Sequence, residues 1–357
     1  MNKGPEALVR DEIRALRAYH VSAAQGLVKL DAMENPYRLP ADLAHAMGER
    51  LAAVAVNRYP DPAAPALKRA VRAAMRVPES LDILLGNGSD EILQIVSLAL
   101  AKPGATVLAP EPSFVVYRLA AIAAGMRYVG FALGADFTLD ETAFLEAIAR
   151  ERPALTWIAY PNNPSGNLFR RESILAAVDA SPGLVAVDEA YYPFAGGASV
   201  VDQVGKHPNL IVVRTFSKLG LAGLRLGVAI APAAWIAELE KLRMPYNVNV
   251  LSAAAAEMLL AEPDVFQRQT EAIVAGRATL SRALAALAGV RVFASAANFI
   301  LVRVPDAPRA FEGLKQRGIL VRNFHGSHPL LDHCLRVTVG TPDENARLIA
   351  TLAAVLA

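Results

Sequence analysis

Short apolar runs alternate with segments of helical period along most of this chain. Residues 66–76 (ALKRAVRAAMR) put charges on one face and Leu67, Ala70, Val71 and Ala74 on the other, which predicts an amphipathic helix. DILLGNGSDE followed by EILQIVSLALA reads as strand, glycine turn and helix. TVLAP, MRYVGFAL, LTWIAYP, LVAVDEA, LIVVRTFS and RLGVAIAP follow as strand candidates, most of them nearly continuous apolar runs. Such runs suit strands buried on both faces of a mainly parallel sheet. Helical segments at 113–124, 140–150 and 171–180 lie between them, so residues of roughly 40–240 are expected to form an α/β fold of α/β/α layers.

After MPYNVNV the pattern changes. Residues 250–288 carry Ala-rich helical patterns. VRVFASAANFILVRV, a helix near 308–317, ILVRNF, CLRVTVG and a last helix then suggest a smaller α+β unit with an antiparallel sheet. The expected organisation is an N-terminal helix and arm over 1–35, a large domain over 36–245 and a small C-terminal domain over 246–357.

Composition narrows the function classes. Apolar residues are 54% and charged residues 20% of 357, enough for a sizeable core. The formal charge of +2 gives no push toward nucleic acid or an anionic membrane. One cysteine, Cys334, leaves neither an internal disulfide nor a thiolate zinc cage. His325, His328 and His333 lack a carboxylate–histidine set at ligand spacing, so no metal site is expected. No apolar run reaches the ~18–20 residues of a membrane helix, and the N-terminus is too charged for a signal peptide. A cytoplasmic protein is the simplest expectation.

In open α/β sheets the functional site lies at the carboxyl ends of the strands, so the residues after each apolar run carry the argument. In RTFSKLGLAGLRLG, an apolar strand delivers Thr215, Ser217 and Lys218 into a Gly-rich turn, with Arg225 beyond. Lysine is scarce here, eight among 36 Lys and Arg. A desolvated lysine loses proton affinity and can form a Schiff base with a carbonyl. Hydroxyls and an arginine beside it suit a phosphate on the same ligand. In LVAVDEAYYPF, Asp188 ends a buried strand and needs a cation or several donors, while Tyr191 can point a hydroxyl into the same space. In AYPNNPSGN, Asn163 precedes a proline and is held out of the helical region. In LLGNGSDEIL, Gly88 lets the backbone approach a ligand and Ser89 and Asp90 open a helix whose N–H groups face an anion. Each segment alone is also an ordinary turn or helix cap. Together they supply an anion cup, an imine-forming lysine, a carboxylate for a ring cation, and an amide and a phenol for a ring oxygen. Pyridoxal 5′-phosphate (PLP), with its phosphate, aldehyde, ring nitrogen and ring oxygen, is the ligand that matches all of them.

The same segments resemble the fold-type I PLP-dependent aminotransferases, most closely their histidinol-phosphate branch. The resemblance runs through YHVSAAQGLVKLDAMENPY, NRYPDP, GNGSDEIL, PNNPSG, VDEAYYPF, TFSKLGLAGLRLG and CLRVTVGTPDEN. It implies a large PLP-binding domain and a small domain. Lys218 would carry the cofactor and Asp188 would pair with its ring nitrogen, with Asn163 and Tyr191 at the ring oxygen. Gly88, Ser89, Asp90, Thr215, Ser217 and Arg225 would surround the phosphate, and Phe114 would stack on the ring. Lys218 to Arg225 is one residue shorter than the common superfamily spacing. Tyr59 resembles a tyrosine that reaches the cofactor phosphate from the other subunit, which implies a homodimer with a shared active site. Tyr19, Asn35, Arg322 and Arg336 match substrate-binding positions. The implied reaction is transamination between histidinol phosphate and glutamate in histidine biosynthesis. Aromatic amino acid transamination and decarboxylation of an O-phosphorylated amino acid remain open. A non-catalytic sugar-nucleotide or dinucleotide binder on a similar sheet is weakened by the missing GxGxxG fingerprint.

Overall fold

A computed structural model describes residues 4–18 and 23–357. The chain forms β1 (Val28–Lys29), β2 (Asp82–Asn87), β3 (Thr106–Glu111), β4 (Arg127–Ala132), β5 (Leu155–Ala159), β6 (Leu184–Asp188) and β7 (Leu210–Thr215). It continues with β8 (Leu226–Ala231), β9 (Arg291–Val292), β10 (Phe299–Arg303), β11 (Ile319–Leu320), β12 (Arg322–Asn323) and β13 (Cys334–Thr338). Seven of these make the large sheet, in the order β2-β8-β7-β6-β5-β3-β4. All run the same way except β8, which is antiparallel to both β2 and β7.

Strand alternation explains the continuous apolar runs. Ile83, Ile158, Val185, Val187, Val212 and Val228 point to one face, where Leu67, Ile148, Ile174 and Leu259 cover them from helices. Leu84, Trp157, Ala186, Ile211, Val213 and Ala229 point to the other, under Ile92, Val96, Ala121 and Leu239. Strands β5 to β8 are buried throughout, as expected of strands sandwiched between helices. The edge strand β4 keeps partial exposure along its length.

The second sheet, β12-β13-β10-β9, is antiparallel throughout. It packs against helices Pro263–Ala285, Ala307–Gln316 and Pro342–Leu356 through Leu280, Leu314, Leu348 and Leu352.

Four details depart from the sequence-based expectation. The N-terminal helix is two short turns, Pro5–Leu8 and Asp11–Arg14, broken where Val9 is extended. VRVFASAANFILVRV splits into β9 and β10 around a loop. ILVRNF splits at Val321, so that β11 pairs with β1 in a small parallel ladder while β12 joins β13. Helix Val250–Leu259 packs into the large sheet's core through Ala255, Ala256 and Leu259. The long helix after it carries Phe266 in that core and Ile273 and Leu280 in the other. Helix Pro263–Ala285 therefore contributes to both cores. Among the described residues no helix is long and apolar enough to cross a membrane.

Candidate active site

The carboxyl ends of β2, β3, β5, β6 and β7 share one edge of the large sheet. Because β8 runs backwards, β7 and β8 join at that same edge, and the joining turn carries Lys218. The edge opens into a cavity of about 510 Å³, closed from the other side by residues 31–34 and by Arg322 and Arg336 of the small sheet.

Asp188 ends β6 and is 6% exposed. Its Oδ2 accepts from the Tyr117 hydroxyl at 2.8 Å and its Oδ1 from the Ala190 N–H at 3.0 Å. Burial raises its pKa to about 6, against the pull of those two hydrogen bonds. Neither donor is a cation, so a ligand that brings its own positive ring nitrogen fits this carboxylate.

Lys218 lies half-buried in the short 3₁₀ turn Ser217–Leu219, its Nζ 3.3 Å from the Ala32 carbonyl. Burial first and the Arg336 guanidinium second lower its pKa to about 8. That leaves roughly a tenth of the amine neutral at pH 7, far more than an unperturbed lysine offers, as an attacking amine requires.

Helix Ser89–Ala99 begins at the cavity, and no side chain caps its N-terminus. Its first N–H groups are therefore available to an anion. Gly88 precedes it at φ +81°, and a Cβ there would collide with the Arg225 guanidinium. Arg225 thus lies over this turn despite its shortened spacing from Lys218, 3.4 Å from Asp90. Thr215 donates to Ser217 Oγ at 2.9 Å, and both line the same cavity.

On the ring side, Asn163 Nδ2 donates to the Tyr191 hydroxyl at 3.3 Å. Phe114 lines the wall. Arg336, 5% exposed in β13, donates through Nη1 to Asn163 Oδ1 and through Nη2 to the Asp31 carbonyl. Its guanidinium also lies 5.2 Å from the ring centroids of Phe299 and Phe324. Arg322 pairs across from Arg336 in the neighbouring strand.

Two of the expected residues, Asn35 and Tyr59, are placed elsewhere. Tyr19 lies outside the described residues. Asn35 faces an adjoining cavity of about 430 Å³ and is engaged by Gln269 and the Tyr37 N–H. Tyr59 is 80% exposed, stacked on Tyr246 with centroids 4.5 Å apart, and does not line this cavity. His325 is occupied in a loop, where its Nδ1 accepts from the His333 N–H. Sequence reasoning missed Tyr117, which reads as one more core position of a helix. It also left Asp31, Ala32, Met33 and Glu34 without individual roles, although KLDAMENPY marked their segment.

Residues 25–352 match the family described as aminotransferase class I and II. A histidinol-phosphate aminotransferase from Chromobacterium violaceum is 56% identical over 347 residues, covering 97% of each chain. Histidinol-phosphate aminotransferase 1 from Ralstonia nicotianae is 53% identical over 354 residues, covering 98% of this chain and 94% of that one. The fold is that of a histidinol-phosphate aminotransferase from Sinorhizobium meliloti solved in complex with pyridoxal-5′-phosphate. The two superpose with a TM-score of 0.87 at 24% identity, over 98% of each chain.

Proposed function

The chain belongs to the class I and II aminotransferases, in their histidinol-phosphate branch, and from that premise we propose how its cavity performs the transfer. It is a PLP-dependent enzyme that moves an amino group between glutamate and the phosphorylated imidazole substrate of histidine biosynthesis. The cofactor supplies an aldehyde that takes up an amino group and a ring that withdraws electrons from the carbon beside it.

The chain's own groups do the rest. Asp188 keeps a proton on the ring nitrogen, because a buried carboxylate without a protein cation gains most from an adjacent positive charge. Asn163 and Tyr191 hold the ring oxygen, and Phe114 packs on the ring face. The N-terminus of helix Ser89–Ala99, with Ser217 and Arg225, binds the phosphate. Lys218 would move the proton between the substrate's Cα and the cofactor's aldehyde carbon, a task suited to an amine of pKa about 8. Arg336 binds the carboxylate of glutamate and the phosphate of the other substrate in turn, since a planar fork pairs with either. Arg322 assists with the phosphate.

Tyr59 carries the proposal for assembly. Its exposure away from its own cavity, with Val56 and Met244 also exposed at 69% and 71%, suits a tyrosine that reaches the cavity of a second subunit. We place the enzyme in the cytoplasm as a homodimer.

The observation that carries this reading is a lysine and a buried carboxylate, both with displaced proton affinities, facing one cavity that two arginines close. The test is the half-reaction. Holoenzyme is mixed separately with histidinol phosphate, glutamate, phenylalanine and O-phosphothreonine while the cofactor spectrum is followed. Histidinol phosphate and glutamate are expected to convert it to the amine form. Conversion by phenylalanine alone would assign an aromatic aminotransferase. Amine release from O-phosphothreonine without any 2-oxo acid would assign a decarboxylase.

A further inference from the structure

Among the fully buried polar side chains that the mechanism does not use, one touches the Asp188 carboxylate. Tyr117, in helix Val116–Ala123, has no exposed surface, and its hydroxyl ends on Asp188 Oδ2. Its ring lies flat on Trp157, centroids 5.2 Å apart and planes 5° apart, and meets Phe114 edge-on at 5.7 Å. The phenol is therefore fixed from two sides before it touches the carboxylate. With Ala190 holding the other oxygen, Asp188 has a donor on each oxygen and one orientation.

We infer that Tyr117 is a positioning residue for the reaction: its hydroxyl aims the Asp188 carboxylate at the ring-nitrogen end of the cavity and keeps it an anion there. The inference rests on the proposed PLP chemistry. A donor to an ionised carboxylate favours the ionised form, and it counters the burial that favours the neutral acid. The other charged neighbours do not supply this. Glu189 and Asp90 both oppose ionisation of Asp188. Glu189 is held by Arg214 at 2.7 Å, and Asp90 by Arg225 at 3.4 Å. Tyr117 remains a donor, because burial and the charge of Asp188 push its own pKa well up. With the anion secured, the proton shared between carboxylate and ring rests on the ring, where electron withdrawal needs it.

The test uses holoenzyme reconstituted with ¹⁵N-labelled PLP. Tyr117→Phe keeps the ring, the stack and nearly the volume but removes the hydroxyl. Its ring-nitrogen resonance should move toward the unprotonated position, and the cofactor's Kd should rise about tenfold. Single-turnover proton abstraction should slow about tenfold while KM for glutamate holds. Trp157→Phe disturbs the stack but leaves the hydroxyl, and its ring-nitrogen resonance should stay in place. An unmoved resonance in Tyr117→Phe, or an equal move in both variants, would overturn the inference. If the phenylalanine variant folds poorly, 3-fluorotyrosine at 117 offers the same shape with a stronger donor. It should move the resonance toward the protonated position, and the opposite move overturns the inference. Wild-type protein that takes up no PLP would overturn the PLP chemistry itself. Normal uptake with an indifferent Tyr117 would overturn only the positioning role of its hydroxyl.

Discussion

Arg336 and Asn163 share a hydrogen bond across the cavity, so the guanidinium on the small sheet and the amide in the turn after β5 are set by one contact. The Asp31 carbonyl and the rings of Phe299 and Phe324 hold the same guanidinium from other sides. Arg336 is therefore oriented in advance, and in the proposed role little side-chain entropy would be lost on binding.

Arg322 lies across from it in β12, and in the proposed mechanism it assists with the phosphate. Arg322→Ala should lower kcat/KM for histidinol phosphate by ~2–3 kcal/mol, the scale of a lost charge-assisted contact. The glutamate half-reaction should change far less. Stopped-flow half-reactions with each substrate check this, and equal losses would remove Arg322 from phosphate binding.

Lys218→Ala should lower turnover by ~10²–10⁴-fold, the range for a lost general base, while PLP still binds without a covalent link. In apoprotein, Lys218 is charged below pH 8 and neutral above it, since burial has lowered its pKa to about 8. Its reductive methylation should therefore be half-maximal near pH 8. Between pH 8 and the ordinary lysine pKa, the unfolded chain binds more protons than the folded one. The contribution of Lys218 to stability therefore rises with pH in that window.

Asp188 behaves in the opposite sense. Its pKa of about 6 lies above the ordinary 3.8, so between those values the folded apoprotein binds more protons and stability falls as pH rises. At pH 7 the ionised carboxylate costs up to about 3 kcal/mol. Asp188→Asn should make the apoprotein more stable to urea at pH 7, make little difference at pH 4, and depress proton abstraction in the holoenzyme. A variant equally destabilised at both pH values would contradict the assigned strain.

Behind the site, Arg214 and Glu189 form a buried ion pair at 2.7 Å, with further bonds to Ser199, the Val200 N–H and the Met75 carbonyl. Arg214→Met alone strands the carboxylate and should cost about 3–5 kcal/mol. Adding Glu189→Gln should recover much of that loss in chemical denaturation. A double variant no better than the single would show that the arginine acts by packing on Tyr192, whose ring it covers at 4.0 Å.

Tyr59→Ala and Lys218→Ala proteins, each inactive, should regain activity when mixed under conditions of subunit exchange. One hybrid cavity then holds both intact residues. Confirmed exchange without recovery would confine Tyr59 to its own subunit or remove it from the site.

The site was legible where an apolar run ends in a polar residue. Asp188, Asn163, Lys218 and Ser89 all follow that rule, because buried strands expose only their ends. Tyr117 was not, since a phenol in VYRLAAIA follows the same helical period as its apolar neighbours. Arg336 was found through resemblance alone, for CLRVT reads as one more strand. The break at Val321 was hidden because both halves of ILVRNF are extended, and only their pairing partners differ.

The pairing of Val28 with Ile319 sets a schedule for synthesis. The two positions are 291 residues apart, so at about 5–20 residues per second the first waits roughly 15 to 60 s for the second. Leu30 waits longer, since it is held by Leu320 and Thr338. Until β11 and β13 emerge, the segment that roofs the cavity has no strand to join. The seven-stranded sheet can complete its hydrogen bonding in that interval, leaving its carboxyl edge and Asp188 open to water. A ribosome stalled short of Ile319 would thus hold a nascent chain able to admit the cofactor but not to enclose it.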